Sequence, residues 1–277
     1  MTRIKAENRW LKLFLEENNV CALISDNRYG LSHPGVYSIF ITHQLGIKTG
    51  IGRLFDKICQ SILYKYINRF SECWVPDFSN SISLAGELSH PQKFPSTAVH
   101  YVGALSRFES CDQQNDFLYD VVIILSGPEP QRTILEKMIL EQLPALQMKT
   151  AFVRGLPNET GEITSVNGEF YNHLDTGKLN RLLCASRMII CRSGYSTVMD
   201  MIKLRKKMIV IPTPGQPEQE YLGKYLCAQQ LAINIPQHQF ELKRALDAAE
   251  KFAYRHINYD MNSYKDVVRN FVAKISS

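Results

Sequence analysis

From Val20 onward the chain alternates short apolar runs with segments of helical period, and no other feature narrows the possible folds as much. Runs such as Val121-Val122-Ile123-Ile124-Leu125 and Met208-Ile209-Val210-Ile211 are apolar at every position. A strand with one wet face would alternate polar with apolar residues, so these strands are expected to be buried on both faces, as in a parallel sheet covered by helices. Strands are predicted at 20–25, 37–42, 73–75, 99–102, 120–125, 150–153, 187–191, 207–211 and 231–235. Helices are predicted at 3–18, 52–70, 131–142, 176–184, 196–204, 217–230 and 239–254. The pattern is that of βαβ units rather than hairpins.

A chain of 277 residues is long for one core and short for two large ones, so two unequal α/β domains are expected. The clearest change in composition is the polar, proline-containing stretch 79–96, which places an N-terminal domain at 1–97 and a C-terminal one at 98–277. The C-terminal part holds about six strand-helix units, enough for a complete doubly wound sheet. The N-terminal part holds about three, fewer than a comfortable independent domain.

The net charge of +5, from 32 Lys and Arg against 27 Asp and Glu, suits an anionic ligand and falls short of a nucleic-acid-binding tail. Seven cysteines without a CxxC pair argue against a disulfide framework or a zinc ribbon and point to reduced thiols in a cytoplasm. The N-terminus lacks the apolar core of a signal peptide, and no run approaches the ~18 apolar residues of a spanning helix.

The segment richest in chemistry runs from Arg187 to Asp200, a buried strand that ends in Cys191-Arg192-Ser193-Gly194 and leads into a helix. The first N–H groups of a helix have no intrahelical acceptor and the positive end of its dipole faces outward, so a phosphate can be held there by backbone alone. Gly194 lets the backbone approach an anion, Ser193, Ser196 and Thr197 supply hydroxyls, and Asp200 can turn a carboxylate toward ribose hydroxyls. Taken alone, the Ser193–Thr197 stretch reads more readily as an ordinary helix cap. A second polar strand-end loop, Pro212-Thr213-Pro214-Gly215-Gln216-Pro217-Glu218-Gln219, would face the same crevice if its strand is the neighbour. Ser126 and Gly127 end another strand, as a tight turn or as a further contact to the ligand. Arg192 can neutralise a diphosphate leaving group, whereas Arg154 reads more simply as a solvated strand-end residue.

These segments resemble, in order and spacing, the MurG-like glycosyltransferases, the bacterial peptidoglycan N-acetylglucosaminyltransferase family with the GT-B fold. In that family a strand ends in C-R-S/A-G-A-x-T-x-x-E, followed by an I-x-x-P-x-P strand and an H-Q-x-x-N-A helix start. Here stand Cys191 to Asp200, Ile209-Val210-Ile211-Pro212-Thr213-Pro214 and Glu218-Gln219, preceded by Tyr101-Val102-Gly103-Ala104-Leu105-Ser106-Arg107 and Leu125-Ser126-Gly127. The resemblance covers about 99–236. It implies a complete Rossmann-like donor domain that binds a UDP-sugar, with the diphosphate at Ser193, Gly194 and the helix start, the ribose at Asp200, and sugar or diphosphate contacts from Gln216, Glu218 and Gln219. It also implies inverting transfer of an N-acetylhexosamine without an obligatory metal or other cofactor, and a lipid-linked or glycan acceptor.

On the N-terminal side, loops after two predicted strands offer Asp26 and His43 as candidates for the base that takes the acceptor proton. The G-x-G-G-H-like loop with which such acceptor domains begin has no counterpart before Val20, so a short form, or one completed by a partner chain or a homo-oligomer, is expected. The stretch 46–70 sets Lys48, Arg53, Lys57, Lys65 and Arg69 among apolar residues at helical spacing. It reads either as a surface helix packed on its own sheet or as a peripheral contact with the inner face of a membrane. Two alternatives to a transferase remain, a UDP-sugar-binding subunit and a UDP-N-acetylglucosamine 2-epimerase-like enzyme. A Rossmann oxidoreductase is disfavoured because no G-x-G-x-x-G follows a predicted strand.

Overall fold

The computed structural model describes residues 2–80, 82–111, 116–160 and 168–276. The chain divides into two compact units, Met1–Leu105 with Tyr259–Ser277, and Ser106–Asn258.

The first unit is built on a parallel sheet of β1 (Ala22–Asp26), β2 (Tyr37–Ile41), β3 (Glu72–Val75) and β4 (Ala98–Tyr101), in that spatial order. Side chains alternate across a strand, so each strand feeds two cores. Phe40, Cys73 and Val75 pack with Leu63 and Ile67 of helix α2 (Arg53–Ile67), which follows the N-terminal helix α1 (Thr2–Glu17). Ile39 and Trp74 on the opposite face pack with Phe271 of a C-terminal helix, Tyr264–Ser276.

That terminal helix is absent from the predicted elements, although Val267, Phe271 and Ile275 recur every fourth residue. Its apolar stripe packs on the first sheet, so the second unit ends at Asn258 rather than at the terminus. The other limit also differs from the expected residue 98, because β4 hydrogen-bonds beside β3 and belongs to the first sheet.

Glu72 anchors the same helix. Its carboxylate accepts from Tyr37 Oη (2.7 Å) and Trp74 Nε1 (3.0 Å) and pairs with Lys274. Burial alone would raise its pKa, but these bonds outweigh it and hold the group at about 2, against 4.5 unperturbed. A depressed carboxylate pKa contributes stability that is present above the unfolded value and lost as pH falls through 4.5 toward 2. At pH 3 about 2 kcal/mol of this contribution is gone. Urea unfolding at pH 7 and pH 3 should show a fall smaller by about that amount in Glu72→Gln than in the wild type.

The second unit carries six parallel strands in the order β10-β9-β8-β5-β6-β7. They are β5 (Tyr119–Ile124), β6 (Thr150–Val153), β7 (Glu169–Tyr171), β8 (Ser186–Cys191), β9 (Lys207–Val210) and β10 (Ile233–Asn234). The connecting helices are α3 (Gln131–Gln142), α4 (Thr176–Cys184), α5 (Tyr195–Lys203), α6 (Pro217–Ala228) and α7 (Leu242–Lys251), and the C-terminal helix of the first unit is α8. Val121, Ile123, Met188, Ile190 and Ile209 pack on one face with Leu135 and Ile139 of α3 and Leu242 and Leu246 of α7. The alternate residues Val122, Ile189 and Met208 are fully buried on the other face, which accounts for the continuous apolar runs. Strand β7 is missing from the predictions: three residues at a sheet edge carry too short a pattern to be read.

The expectation of reduced thiols needs a correction. Cys111, ahead of β5, is disulfide-bonded to Cys184 at the end of α4, a pairing between positions 73 residues apart that no local spacing could reveal. Cys21, Cys59, Cys73, Cys191 and Cys227 are free. Among the described residues no helix is long and apolar enough to cross a membrane.

Candidate functional site

In the second unit the strand order reverses direction between β5 and β8, the position at which open α/β sheets leave a crevice beyond the carboxyl ends of their strands. The last residues of β5, β8 and β9 are level, with Ile124 beside Cys191 and Cys191 beside Val210. The loops that follow, Ser126-Gly127, Arg192-Ser193-Gly194 and 211–216, therefore share one edge.

Helix α5 opens onto that edge. Gly194 is its N-cap in an extended conformation (φ −70°, ψ 137°), no side chain caps the helix, and Val198 N–H, 3.0 Å from Gly194 O, is the first to bond back. The N–H groups of Ser196 and Thr197 thus precede the first intrahelical bond. A Cβ placed on Gly194 would meet nothing within 4 Å, so the space in front of the helix start is open. Ser196 is exposed and Thr197 half-buried. The helix start is thus neither capped by a side chain nor walled off, a geometry in which an N-terminus can receive an anion.

Arg192, expected to neutralise a diphosphate, lies beneath the loops rather than at their surface. It is 1% exposed, and its guanidinium donates to the carbonyls of Ile211 (3.1 Å), Pro212 (3.3 Å) and Gln131 (2.7 Å). It clasps the start of α3 to the loop after β9. Burial lowers its pKa to about 10, so it stays a cation at neutral pH. Among the described residues no carboxylate lies within ion-pair distance of it, and its Nε has no hydrogen-bond partner. A buried cation without a counter-ion, two residues before an open helix N-terminus, makes the potential there positive by field rather than by contact.

Ser193 is likewise buried, and its hydroxyl donates to Gln219 O (2.8 Å), so it braces the α6 loop instead of facing an anion. Gln219 is occupied too: its Oε1 accepts from Thr213 N (3.0 Å) and its Nε2 donates to Gln216 Oε1 (2.5 Å). These contacts set the shape of the loop that brings half-buried Gln216 and Glu218 to the same edge. Gly127, at φ +104°, has only Thr213 Oγ1 near its missing Cβ, at 3.7 Å. That hydroxyl is buried and lacks a partner, a polar group the sequence reading overlooked.

Asp200 lies one turn into α5, with Oδ1 accepting from Ser106 Oγ at 2.6 Å. Burial pushes its carboxyl up, against the Ser106 bond and the Arg107 charge. Its first partner is therefore the segment leading into the unit, and a ribose would have to share it. Arg154 donates to Asn172 (2.7 Å) and pairs with Glu136, which also pairs with Arg132 at 2.7 Å, a structural network at the end of β6.

In the first unit Asp26 and His43 reach one edge together, because β1 and β2 are neighbours with Asp26 level with Ile41. Asp26 is exposed and His43 half-buried. Between them Asn27 N–H donates to Ile41 O (3.0 Å) and Thr42 Oγ1 to Asn27 Oδ1 (3.3 Å). Among the described residues no group of three His, Cys, Asp or Glu side chains is placed to hold a metal ion.

Residues 156–275 match the glycosyltransferase family 28 C-terminal domain. No curated protein matches the chain by sequence. Among solved structures, the chain is similar to Acinetobacter baumannii MurG (TM-score 0.57, 13% identity, covering 98% of this chain and 78% of that one). It is similar also to the spinosyn rhamnosyltransferase SpnG complexed with thymidine diphosphate (0.58, 13%, 99% and 75%). Phytolacca americana UGT2, complexed with UDP-2fluoro-glucose and pterostilbene, is a third (0.59, 11%, 98% and 80%). At such identities the likeness is one of fold, and the fold is GT-B.

Proposed function

We propose that this MurG-like chain, a GT-B glycosyltransferase with a family 28 C-terminal domain, transfers a sugar from a UDP-sugar to an acceptor hydroxyl with inversion. An N-acetylhexosamine is the favoured sugar by resemblance. The observation that carries the reading is the uncapped start of α5, open in front of Gly194 and backed by the buried charge of Arg192. In such a transfer the acceptor oxygen attacks the anomeric carbon while the bond to the diphosphate breaks, and negative charge grows on the departing UDP. The helix N–H groups and the Arg192 field meet that charge, so no divalent ion is assigned a role. Asp200 and Ser106 border the place for the ribose, and Gln216 and Glu218 that for the sugar. Two of the solved structures of similar fold are complexes with thymidine diphosphate and with UDP-2fluoro-glucose, which supports a nucleoside diphosphate as the ligand class. Calorimetry with UDP and UDP-N-acetylglucosamine, beside an assay of UDP release, tests the reading. Absence of UDP binding would sink it, and binding without release in any acceptor mixture would favour a donor-binding subunit that needs a partner.

The acceptor reading is drawn from α2. One face of this helix buries Leu63 and Ile67, and the other leaves Leu54, Phe55, Ile58 and Ile62 exposed, Leu54 by 76%, with exposed Ile51 just ahead of the helix. Arg53, Lys57 and Lys65 lie on the same helix. An exposed apolar row beside basic residues suits the surface of an anionic bilayer, and with it a lipid-linked acceptor at the inner face of a membrane. The doubly substituted Leu54→Asp, Phe55→Asp chain should bind vesicles of mixed phosphatidylcholine and phosphatidylserine at least about tenfold more weakly than wild type in co-sedimentation.

A further inference from the structure

Residues 106–111 lead toward β5 as a short strap, fastened at both ends to partners in its own unit, the second. At the start of the strap, Ser106 Oγ donates to Asp200 Oδ1 (2.6 Å) and accepts from Phe108 N (3.1 Å). A serine has one proton, so the bond from Phe108 fixes the hydroxyl with that proton aimed at the carboxylate. Arg107 adds a backbone N–H and its charge to the same carboxylate. Asp200 is thus oriented by two consecutive residues of the strap.

The other end of the strap is the Cys111–Cys184 disulfide. On the Cys184 side the anchor is firm: Lys206 Nζ donates to Cys184 O (2.7 Å) and Ser186 O (2.6 Å), and Leu118 N to Ala185 O (2.9 Å). On the Cys111 side it is not. Phe108 is buried, but Glu109 and Ser110 are exposed, and among the described residues none shares a backbone hydrogen bond with Glu109, Ser110 or Cys111. The disulfide therefore does the fastening that hydrogen bonds do elsewhere. Both of its cysteines are half-buried, within reach of a small thiol, and the other five cysteines are free.

We propose that the Cys111–Cys184 pair is a redox control on nucleotide binding, the disulfide holding the strap so that Ser106 and Arg107 keep the Asp200 carboxylate in one orientation. The proposal rests on the reading of this edge as the nucleotide site. Reduction breaks the S–S bond, and each cysteine takes up one electron and one proton to become a thiol. Two glutathione thiols, or one dithiol protein of the thioredoxin class, supply them and are left as a disulfide; glutathione disulfide reverses the step. With the strap released, its ordering falls to the nucleotide, and affinity drops. Coupling between two sites is reciprocal, so UDP opposes reduction by the same factor by which reduction weakens UDP.

The full chain, equilibrated with glutathione disulfide or with dithiothreitol, provides the test. Alkylation in denaturant should label five cysteines in the first case and all seven in the second. Calorimetry should give a Kd for UDP about fivefold or more higher in the reduced chain. The Kd for 2′,3′-dideoxy-UDP, which offers Asp200 no hydroxyl, should be the same in both. Ser106→Ala should weaken UDP in the oxidised chain by a similar factor, and reduction should then add nothing. In a glutathione buffer, saturating UDP should raise the ratio of oxidised to reduced chain by the factor found in the Kd. Hydrogen exchange at Phe108 N–H should quicken on reduction. Seven labelled cysteines in the oxidised sample overturn the proposal, as do equal UDP affinity in the two states, an equal loss for both nucleotides, or a redox effect that persists in the double variant Cys111→Ser, Cys184→Ser. A chain that binds UDP in neither state overturns the nucleotide reading instead, and the exchange rate at Phe108 then decides alone whether the bridge holds the strap.

Discussion

Gly194→Val is expected to remove UDP binding while leaving the chain folded. The backbone at Gly194 is extended (φ −70°, ψ 137°), a conformation open to valine, and a Cβ there meets no protein atom within 4 Å. The cost to the fold is confined to a poorer N-cap, about 1 kcal/mol. The valine methyls, however, fill the space in front of the N–H groups of Ser196 and Thr197, where the diphosphate would lie. Charge-assisted hydrogen bonds are worth ~1.5–3 kcal/mol each, so the loss of two weakens binding by about 10²- to 10⁴-fold. Calorimetry with UDP, paired with circular dichroism and a melting curve, separates the two effects. Undiminished affinity in a folded variant would mean that the nucleotide binds elsewhere.

Arg192→Met tests the other half of the site and should injure both stability and binding. The guanidinium satisfies three carbonyls from two segments, at Ile211, Pro212 and Gln131. Methionine fills much of the volume but donates nothing, leaving buried carbonyls without those partners at ~1–3 kcal/mol each, partly offset by no longer burying a lone cation. A net loss of about 3 kcal/mol in urea unfolding is expected, with a fall in UDP affinity because the positive field behind α5 disappears. Arg192→Lys keeps the charge and loses the forked geometry. It should retain more of the affinity than Arg192→Met even where it is comparably destabilised. If both variants bind UDP as the wild type does, Arg192 is a clasp and nothing more.

The helix start at Gly194 is legible because a buried strand, a glycine and a run of hydroxyl residues before a helix form a local pattern. The sequence places Arg192 at the end of β8 but does not show which way its guanidinium turns. Whether an arginine points into a cleft or under it depends on acceptors 19 and 61 positions away, at Ile211 and Gln131. Ser193 and Gln219 were misjudged for the same reason, since each is consumed by a partner that sequence spacing does not reveal.

The alternation of strands and helices, the double-sided burial of the second sheet and the open helix start after β8 were all written in local pattern, because periodicity and end-capping act over a few residues. The tertiary structure alone decided that the last helix returns to the first sheet, that Cys111 meets Cys184, and which polar side chains are spent on the scaffold rather than left for a ligand. Those outcomes turn on contacts between distant parts of the chain, where the direction of one side chain is set by packing that no local pattern encodes.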